Sequence, residues 1–444
     1  MKLKLLLALL VVTIGNAQTQ IGQDITGNTN YVEAIALSEN GNVLAISSDN
    51  LTKVYSNISG NWTQVGQDIQ GYGYRILLSN DGSTIAITNH NTMVRVYKNI
   101  NNTWTQIGQD IPEDGHDIAL SGDGSIIAMA STIGFPFNIY KNISGTWTVI
   151  GQIHSEGFSI CLSENGDTIA ACPLHPAAGI SVFKNVNNNW IQVGNTINAN
   201  PNDNLGFRMD MSSDGKTIAV TISNNNGSIN VYRYINNNWS LLGSPIVSTV
   251  PNEIFAKNVA ISGSGNVVVV GSEEGGNTGN GRVDIFEYLQ GNWVKKGEIT
   301  DQSGNQISWA IALSRDGNSL ALRSTGSIGP KPAGNIVEEQ TNTNNYEGKG
   351  ASAGVRVYDI QGILSSDTFV LENFNIYPNP TTDVLNIELD NSLTLEKVFI
   401  YNTSGQLVKE TTDKTINVSA FSKGVYNVQV VTNQGKATKK VIVK

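Results

Sequence analysis

The chain has 444 residues, of which 28 are basic and 37 acidic, for a formal net charge of -9. Charged residues make up only 15%, against about 25% in an ordinary globular protein. The length exceeds one usual domain, and low charge with steady apolar content excludes a long coiled coil and wholesale disorder. Two Cys cannot staple a disulfide scaffold, and an acidic chain with no basic cluster is a poor nucleic-acid binder. With 45 Gly and many Asn in short turn-like clusters, the composition suits a turn-dense all-β protein.

The first segment is Met1-Lys2-Leu3-Lys4, an apolar run from Leu5 to Ile14, then Gly15-Asn16-Ala17. A basic start, a short apolar core and small residues at the -3 and -1 positions make a secretory signal peptide over residues 1–17, with Gln18 first in the mature chain. The run is about half the ~20 residues that span a bilayer. No other apolar stretch approaches that length, so no membrane span is expected in the mature chain. Loss of Lys2 and Lys4 takes the charge from -9 to -11.

An internal repeat fills residues 18–362. A Ser-x-Asx-Gly turn recurs with glycines at 41, 82, 124, 166, 215 and 317, and as Ser262-Gly263-Ser264-Gly265 in the sixth unit. An aromatic follows each turn (Tyr55, Tyr97, Tyr140, Phe183, Tyr232, Phe286, Tyr358), and a third column is Gly22, Gly66, Gly108, Gly151, Gly194, Gly243 and Gly297. Three independent columns each count seven. Unit 2 contains four apolar, β-branched segments, 74–78, 84–88, 93–97 and 104–108, here named strands a to d. The Asx-Gly between a and b predicts a hairpin with a type I′ turn, whose two central residues need positive φ. Four short strands repeated seven times predict a seven-bladed β-propeller.

The ends of the array predict how it closes. Six units carry a Trp opening strand d: Trp62, Trp104, Trp147, Trp190, Trp239 and Trp293. The seventh stops at Val355-Arg356-Val357-Tyr358-Asp359 without one. The mature N-terminus, Thr19-Gln20-Ile21-Gly22-Gln23-Asp24, matches Thr63-Gln64-Val65-Gly66-Gln67-Asp68 and reads as an orphan strand d. It is expected to complete the last blade, since an open ring would leave unpaired edges.

Past Gly362 the repeat ends. Residues 363–372 read as a linker, and 373–444 alternate with Gly and Asn turns as in a small Ig-like β-sandwich. This segment opens on Tyr377-Pro378-Asn379-Pro380. It continues through a turn at Gly405, a strand with Gly424 and Tyr426, and a tail with Lys439 and Lys440. In these motifs it resembles the type A C-terminal sorting domain of the type IX secretion system of Bacteroidetes. The resemblance implies two-step export: the signal peptide leads to the periplasm, and the sorting domain engages the secretion machinery for outer-membrane passage. The domain is usually removed, leaving cargo secreted or on the cell surface. The repeats also look like those common in secreted proteins of such bacteria, which identifies no activity.

Candidate sites follow from propeller geometry. The d–a and b–c loops share one face and carry the insertions 198–204, 244–253, 273–281 and 326–352; the last holds Lys331, Glu338, Glu339, Tyr346 and Lys349. Innermost strand a begins on that face. Its entrance carries Glu33, Tyr74-Arg75, His116-Asp117, Phe158, Phe207-Arg208, Lys257 and Trp309. Glu33, Arg75, His116, Asp117, Arg208, Lys257 and Trp309 form the candidate ligand site at the channel mouth, the bland alternative being a hydrated channel of mutually satisfied groups. His90, His116, His154 and His175 fall on the same side, but no pair has metal-ligand spacing. No cofactor is expected. Calcium is the weaker alternative, with only Glu273-Glu274-Gly275-Gly276-Asn277 suggestive and no Asp-x-Asp-x-Asp-Gly loop. Cys161 and Cys172 come out diagonal across one hairpin, at the edge of bridging range, and read as two buried thiols.

The reading is a secreted, monomeric, non-enzymatic binding or adhesion module for a glycan or protein. The alternative is an extracellular polysaccharide lyase or glycosidase of propeller fold, which would need Glu33, His116, Asp117 and Arg208 to converge.

Overall fold

The structure is a computed structural model. It describes residues 18–26, 32–48, 50–71, 73–89, 93–112, 116–130, 137–153, 158–173, 179–198, 204–223, 227–248, 254–273, 281–289, 291–300, 310–324, 354–364, 374–390, 393–402, 406–432 and 435–444. The protein is all-β; among the described residues the one helical turn is a 3-10 turn at Gln361–Ile363. The repeats form seven small antiparallel sheets, and the C-terminal segment forms two more.

Unit 2 shows the rule. Strands Arg75–Leu78, Thr84–Asn89, Met93–Ile100 and Thr103–Gln106 pair in that order. The a–b turn is built by its own side chains. Ser79 Oγ donates to Asp81 (2.6 Å) and accepts from the Thr84 N–H (2.9 Å), while Asp81 accepts from the Ser83 N–H (2.9 Å). Only Gly82 has positive φ there, +70°. The expected type I′ turn is therefore wrong for the a–b hairpin, which is a longer loop ending in a left-handed glycine. The paired positive φ values sit instead in the c–d hairpins, at Asn101–Asn102, Asn187–Asn188 and Asn236–Asn237. Asn tolerates that conformation through its short polar side chain.

Most sheets are latched to the next by the Trp, and three of these latches also use the Gln-x-x-Gln-Asp run. Trp104 Nε1 donates to Val65 O (2.9 Å), and the Gln67 amide brackets the Trp104 main chain, donating to its O (2.7 Å) and accepting from its N–H (3.0 Å). The same latch joins Ile21 and Gln23 to Trp62, and Ile107 and Gln109 to Trp147. Gly66 belongs there because its φ is +72° and a Cβ would lie 2.8 Å from Trp104 Cδ1.

The N-terminal segment pairs as the orphan strand should. Thr19–Gln20 lies antiparallel to Gly354–Asp359, with Thr19 opposite Asp359 and Gln20 opposite Tyr358. Ile21 N–H donates to Val357 O (2.7 Å), and Asp24 accepts a forked pair from Arg356. Beyond it, Ile25–Thr26 pairs the same strand. Comparable short strands, Ile69–Gln70 and Ile246–Val247, rejoin the third strand of units 1 and 5 and were not foreseen in the sequence.

Strands a contact one another in order: Ala34–Leu37, Arg75–Leu78, Asp117–Leu120, Ser159–Leu162, Asn204–Met211, Ile254–Ile261 and Ile311–Leu313, with the last also against the first. A circle of main-chain hydrogen bonds joins their turns. The N–H of Glu39, Asn80, Gly122, Glu164, Ser213 and Gly263 each donates to the carbonyl of the next unit (2.7–3.1 Å), the sixth reaching Arg315 O. Asp316 N–H returns to Glu39 O at 3.0 Å.

In the C-terminal segment, strands Phe374–Tyr377, Val384–Leu389 and Thr415–Asn417 form one sheet. Leu407–Thr411, Leu395–Asn402, Gly424–Thr432 and Gly435–Val443 form the other. Both line one core containing Phe374, Leu385, Val398, Tyr426 and Val441. Ile363, at the start of the expected linker, is buried in a cluster with Val283, Ile285 and Leu320 of units 6 and 7.

Candidate functional site

At the entrances of units 1, 2 and 5, main-chain N–H groups of strand a are tied to strand b. Arg75 N–H and Arg208 N–H both meet a buried Thr hydroxyl on strand b, Thr88 Oγ1 (3.2 Å) and Thr221 Oγ1 (3.0 Å). Glu33 N–H and Tyr74 N–H bond Ser47 O and Thr88 O in the equivalent way. The first strands of units 5 and 6 are eight residues long and carry register shifts between Leu205 and Met209 and between Ile254 and Asn258. Arg208 and Lys257 lie in these irregular stretches, where a bulge re-aims side chains. Trp309, His90, His154, His175 and nearly all insertion residues, including 331, 338, 339, 346 and 349, lie outside the described residues.

Three of the predicted site residues come together. Arg75 Nε is 3.7 Å from Asp117 Oδ1, a pair with 25% and 16% of their side chains exposed. The Arg75 guanidinium lies 5.3 Å from the Tyr74 ring centroid. The His116 ring is 4.4 Å from Phe158 and 6.5 Å from Tyr74, centroid to centroid. Tyr74, His116 and Phe158 thus form an aromatic arc over units 2 to 4, with Arg75 against one end. Its Nε and Nη2 are shielded and have no hydrogen-bond partner among the described residues.

Asp117 is occupied differently from a catalytic carboxylate. Its Oδ1 accepts from its own strand at Ile118 N–H (3.2 Å), and Oδ2 accepts from Ile160 N–H of the next unit (3.0 Å). It staples two neighbouring strands a. Asp210 repeats the device, accepting from Met211 N–H (2.8 Å) and from Ile261 N–H of unit 6 (2.9 Å).

The opposite, turn end holds a group that sequence reasoning missed. Asn80 donates to Glu164 two units away, and Arg315 reaches Asp210 (3.3 Å) and Met211 O (2.9 Å), also two units away. These side chains lean over the circle of turn hydrogen bonds; a Cβ on Gly122 would collide with both Glu164 and Asn80. Burial, then repulsion from Glu164 and Asp316, raises the Glu39 carboxyl above its ordinary 4.5, with Arg315 opposing. The signal was available: these residues are the variable x of the Ser-x-Asx-Gly turn.

The cysteines follow the expected register, Ser159 opposite Cys172 and Cys161 opposite Ala170. Both are buried free thiols, and desolvation pushes Cys172 up to about 12. Neither is a nucleophile at neutral pH. Among the described residues no three His, Cys, Asp or Glu side chains are placed to hold a metal ion, and no helix is long and apolar enough to cross a membrane.

The sorting motif is pinned to the chain's end. Asn379 donates to Lys440 O (2.8 Å) and accepts from Ile442 N–H (3.0 Å); Thr381 N–H meets Ile442 O (2.9 Å). Tyr426 hydroxyl donates to Ser422 O (2.8 Å), and Lys439 lies over the Phe374 ring at 4.5 Å while donating to Phe374 O. Desolvation lowers the Lys439 ammonium below its ordinary value. Tyr377, by contrast, is exposed, Gly424 stands in open space, and Gly405 lies outside the described residues. The family model for the secretion system C-terminal sorting domain matches residues 375–444. This segment belongs to that family. The protein is accordingly secreted or cell-surface, and its sorting domain marks it for the type IX machinery. The chain is also 40% identical over 78 residues to the ulvan lyase NLR42 of Nonlabens ulvanivorans, a match covering 16% of this chain. The chain spans only 14% of that relative's length.

Proposed function

We propose that the mature protein is a seven-bladed β-propeller, closed by its N-terminal strand and followed by an Ig-like sorting domain. Seven sheets, first strands touching in cyclic order and the returning circle of turn hydrogen bonds support this architecture. On it we place a non-enzymatic binding or adhesion module, taking a glycan or a protein at the end where strands a begin. The observation that carries this reading is the Tyr74–His116–Phe158 arc with the Arg75 donors beside it. Aromatic faces with a few convergent polar groups are the ordinary lining of a ligand site.

The alternative is an extracellular lyase or glycosidase of propeller fold. The short match to a protein named as an ulvan lyase keeps that reading in view. Against it stands Asp117, whose two oxygens are both committed to main-chain N–H groups. A carboxylate so held serves the main chain of two strands rather than a substrate. Replacing it would also loosen two strands, so the discriminating variant is His116→Ala. Turnover and binding are measured on polysaccharide and protein arrays. Binding without turnover in the wild type, weakened in His116→Ala, supports the module; turnover that His116→Ala abolishes supports the enzyme.

A further inference from the structure

We propose that the ligand taken at this end is an acidic glycan: a pyranose ring laid on the Tyr74–His116–Phe158 arc with its carboxylate or sulfate on Arg75. This rests on the binding reading above and names its ligand class. The arc supplies flat apolar faces from three successive units, tilted 37° and 39° to one another, which suits the C–H face of a sugar ring. Arg75 supplies the charge. Its Nε and Nη2 are shielded without hydrogen-bond partners among the described residues, and the quarter of the side chain left exposed presents the charge at the mouth. Asp117 is not such a partner, since 3.7 Å exceeds hydrogen-bond distance and its oxygens already accept from Ile118 and Ile160. A guanidinium fork matches a carboxylate or sulfate in shape as well as charge.

The rest of the axis favours the same end. Arg208 and Lys257 bring two more cations to the entrance of units 5 and 6. The turn end instead gathers Glu39, Glu164 and Asp316 around Arg315; burial first, then this repulsion, raises the Glu39 carboxyl. With Glu33 and Asp117 counted, the entrance still holds three of these cations against two carboxylates, and the turn end holds three carboxylates against Arg315, so an anion is favoured at the entrance. At the turn end Asn80 bonds Glu164 and Arg315 bonds Asp210 and the Met211 carbonyl, so the polar groups there are already engaged with one another.

The test is affinity electrophoresis of the full chain in gels holding dextran, dextran sulfate, polygalacturonate or poly-glutamate. The wild type is expected to be retarded by polygalacturonate or dextran sulfate and not by dextran, with retardation falling as salt rises. The two anionic gels separate carboxylate from sulfate recognition. Arg75→Gln is expected to weaken it about tenfold or more, as for a lost charge-assisted pair. Arg75→Lys should retain part of it, and His116→Ala should weaken it while the melting temperature holds. If Arg75→Gln does not fold, His116→Ala and the salt series carry the test. Equal retardation by dextran, or an unaffected, folded Arg75→Gln, overturns the ligand class while leaving a binding module. Equal retardation by poly-glutamate replaces the glycan with an acidic protein segment. No retardation in these gels, with a protein captured on the array, overturns the glycan; no binding in either assay overturns the module itself.

Discussion

Deleting residues 18–24 should destabilise the repeat array by an amount the structure lets one work out. The segment supplies the outer strand against Gly354–Asp359, the Ile21 carbonyl that takes Trp62 Nε1, and the Gln23 amide that brackets the Trp62 main chain. Its loss orphans at least three polar groups on Trp62, a side chain only 4% exposed. At about 1 kcal/mol each, the low end for groups that water can partly reach, the cost is about 3 kcal/mol. An unfolding entropy of roughly 2.1 cal/mol/K per residue, over about 345 residues, converts this to a fall of about 4 °C or more. Differential scanning calorimetry of the mature chain with and without the segment measures it. A melt unchanged within a degree would refute the claim that the N-terminus closes the last sheet.

Trp104→Phe should cost about 1 kcal/mol more than Trp190→Phe in urea unfolding, because Trp104 Nε1 is bonded to Val65 O while shielded Trp190 Nε1 has no partner. Equal costs would contradict the latch. Two carboxylates should show opposite pH dependence. The Arg356 hydrogen bonds hold Asp24 below its ordinary 3.8, so its contribution is present above that value and lost as pH falls through the lower folded one. Asp24→Asn should thus lower the melting temperature at pH 7 and converge with wild type in acid. Glu39 is raised, chiefly by burial, so its ionised form is penalised once pH passes the raised value. Glu39→Gln should raise the melting temperature at pH 7, the gain vanishing below about 4.5. Matching pH profiles for the two variants would contradict these assignments.

The unit boundaries, the four-strand content and the orphan N-terminal strand were legible because each rests on repetition: a Trp, a Gly and a Gln-Asp run in fixed relation cannot recur by accident. The cysteine register was legible from alternation across one turn. Turn type was not, because Asx-Gly serves both a two-residue hairpin and a longer loop, and the Ser79–Asp81 side-chain bonds that choose the loop depend on Ser and Asp meeting in space. Arg75, His116 and Asp117 were legible as a group by their shared position. The staple role of Asp117 was not, since Ile160 lies 43 residues away and only the folded chain brings its N–H to the carboxylate. Glu39, Glu164 and Arg315 escaped notice because a variable turn position looks like tolerated surface.

Gln20 and Tyr358 are cross-strand neighbours, and the family-matched segment begins only at residue 375. Order of synthesis therefore matters. Thr19–Gln20 waits for a mate, Gly354–Asp359, that is made long after it, and the delivery label is made after that mate. A ribosome that stops anywhere before residue 354 yields a molecule lacking both, so unfinished copies bear no label for release.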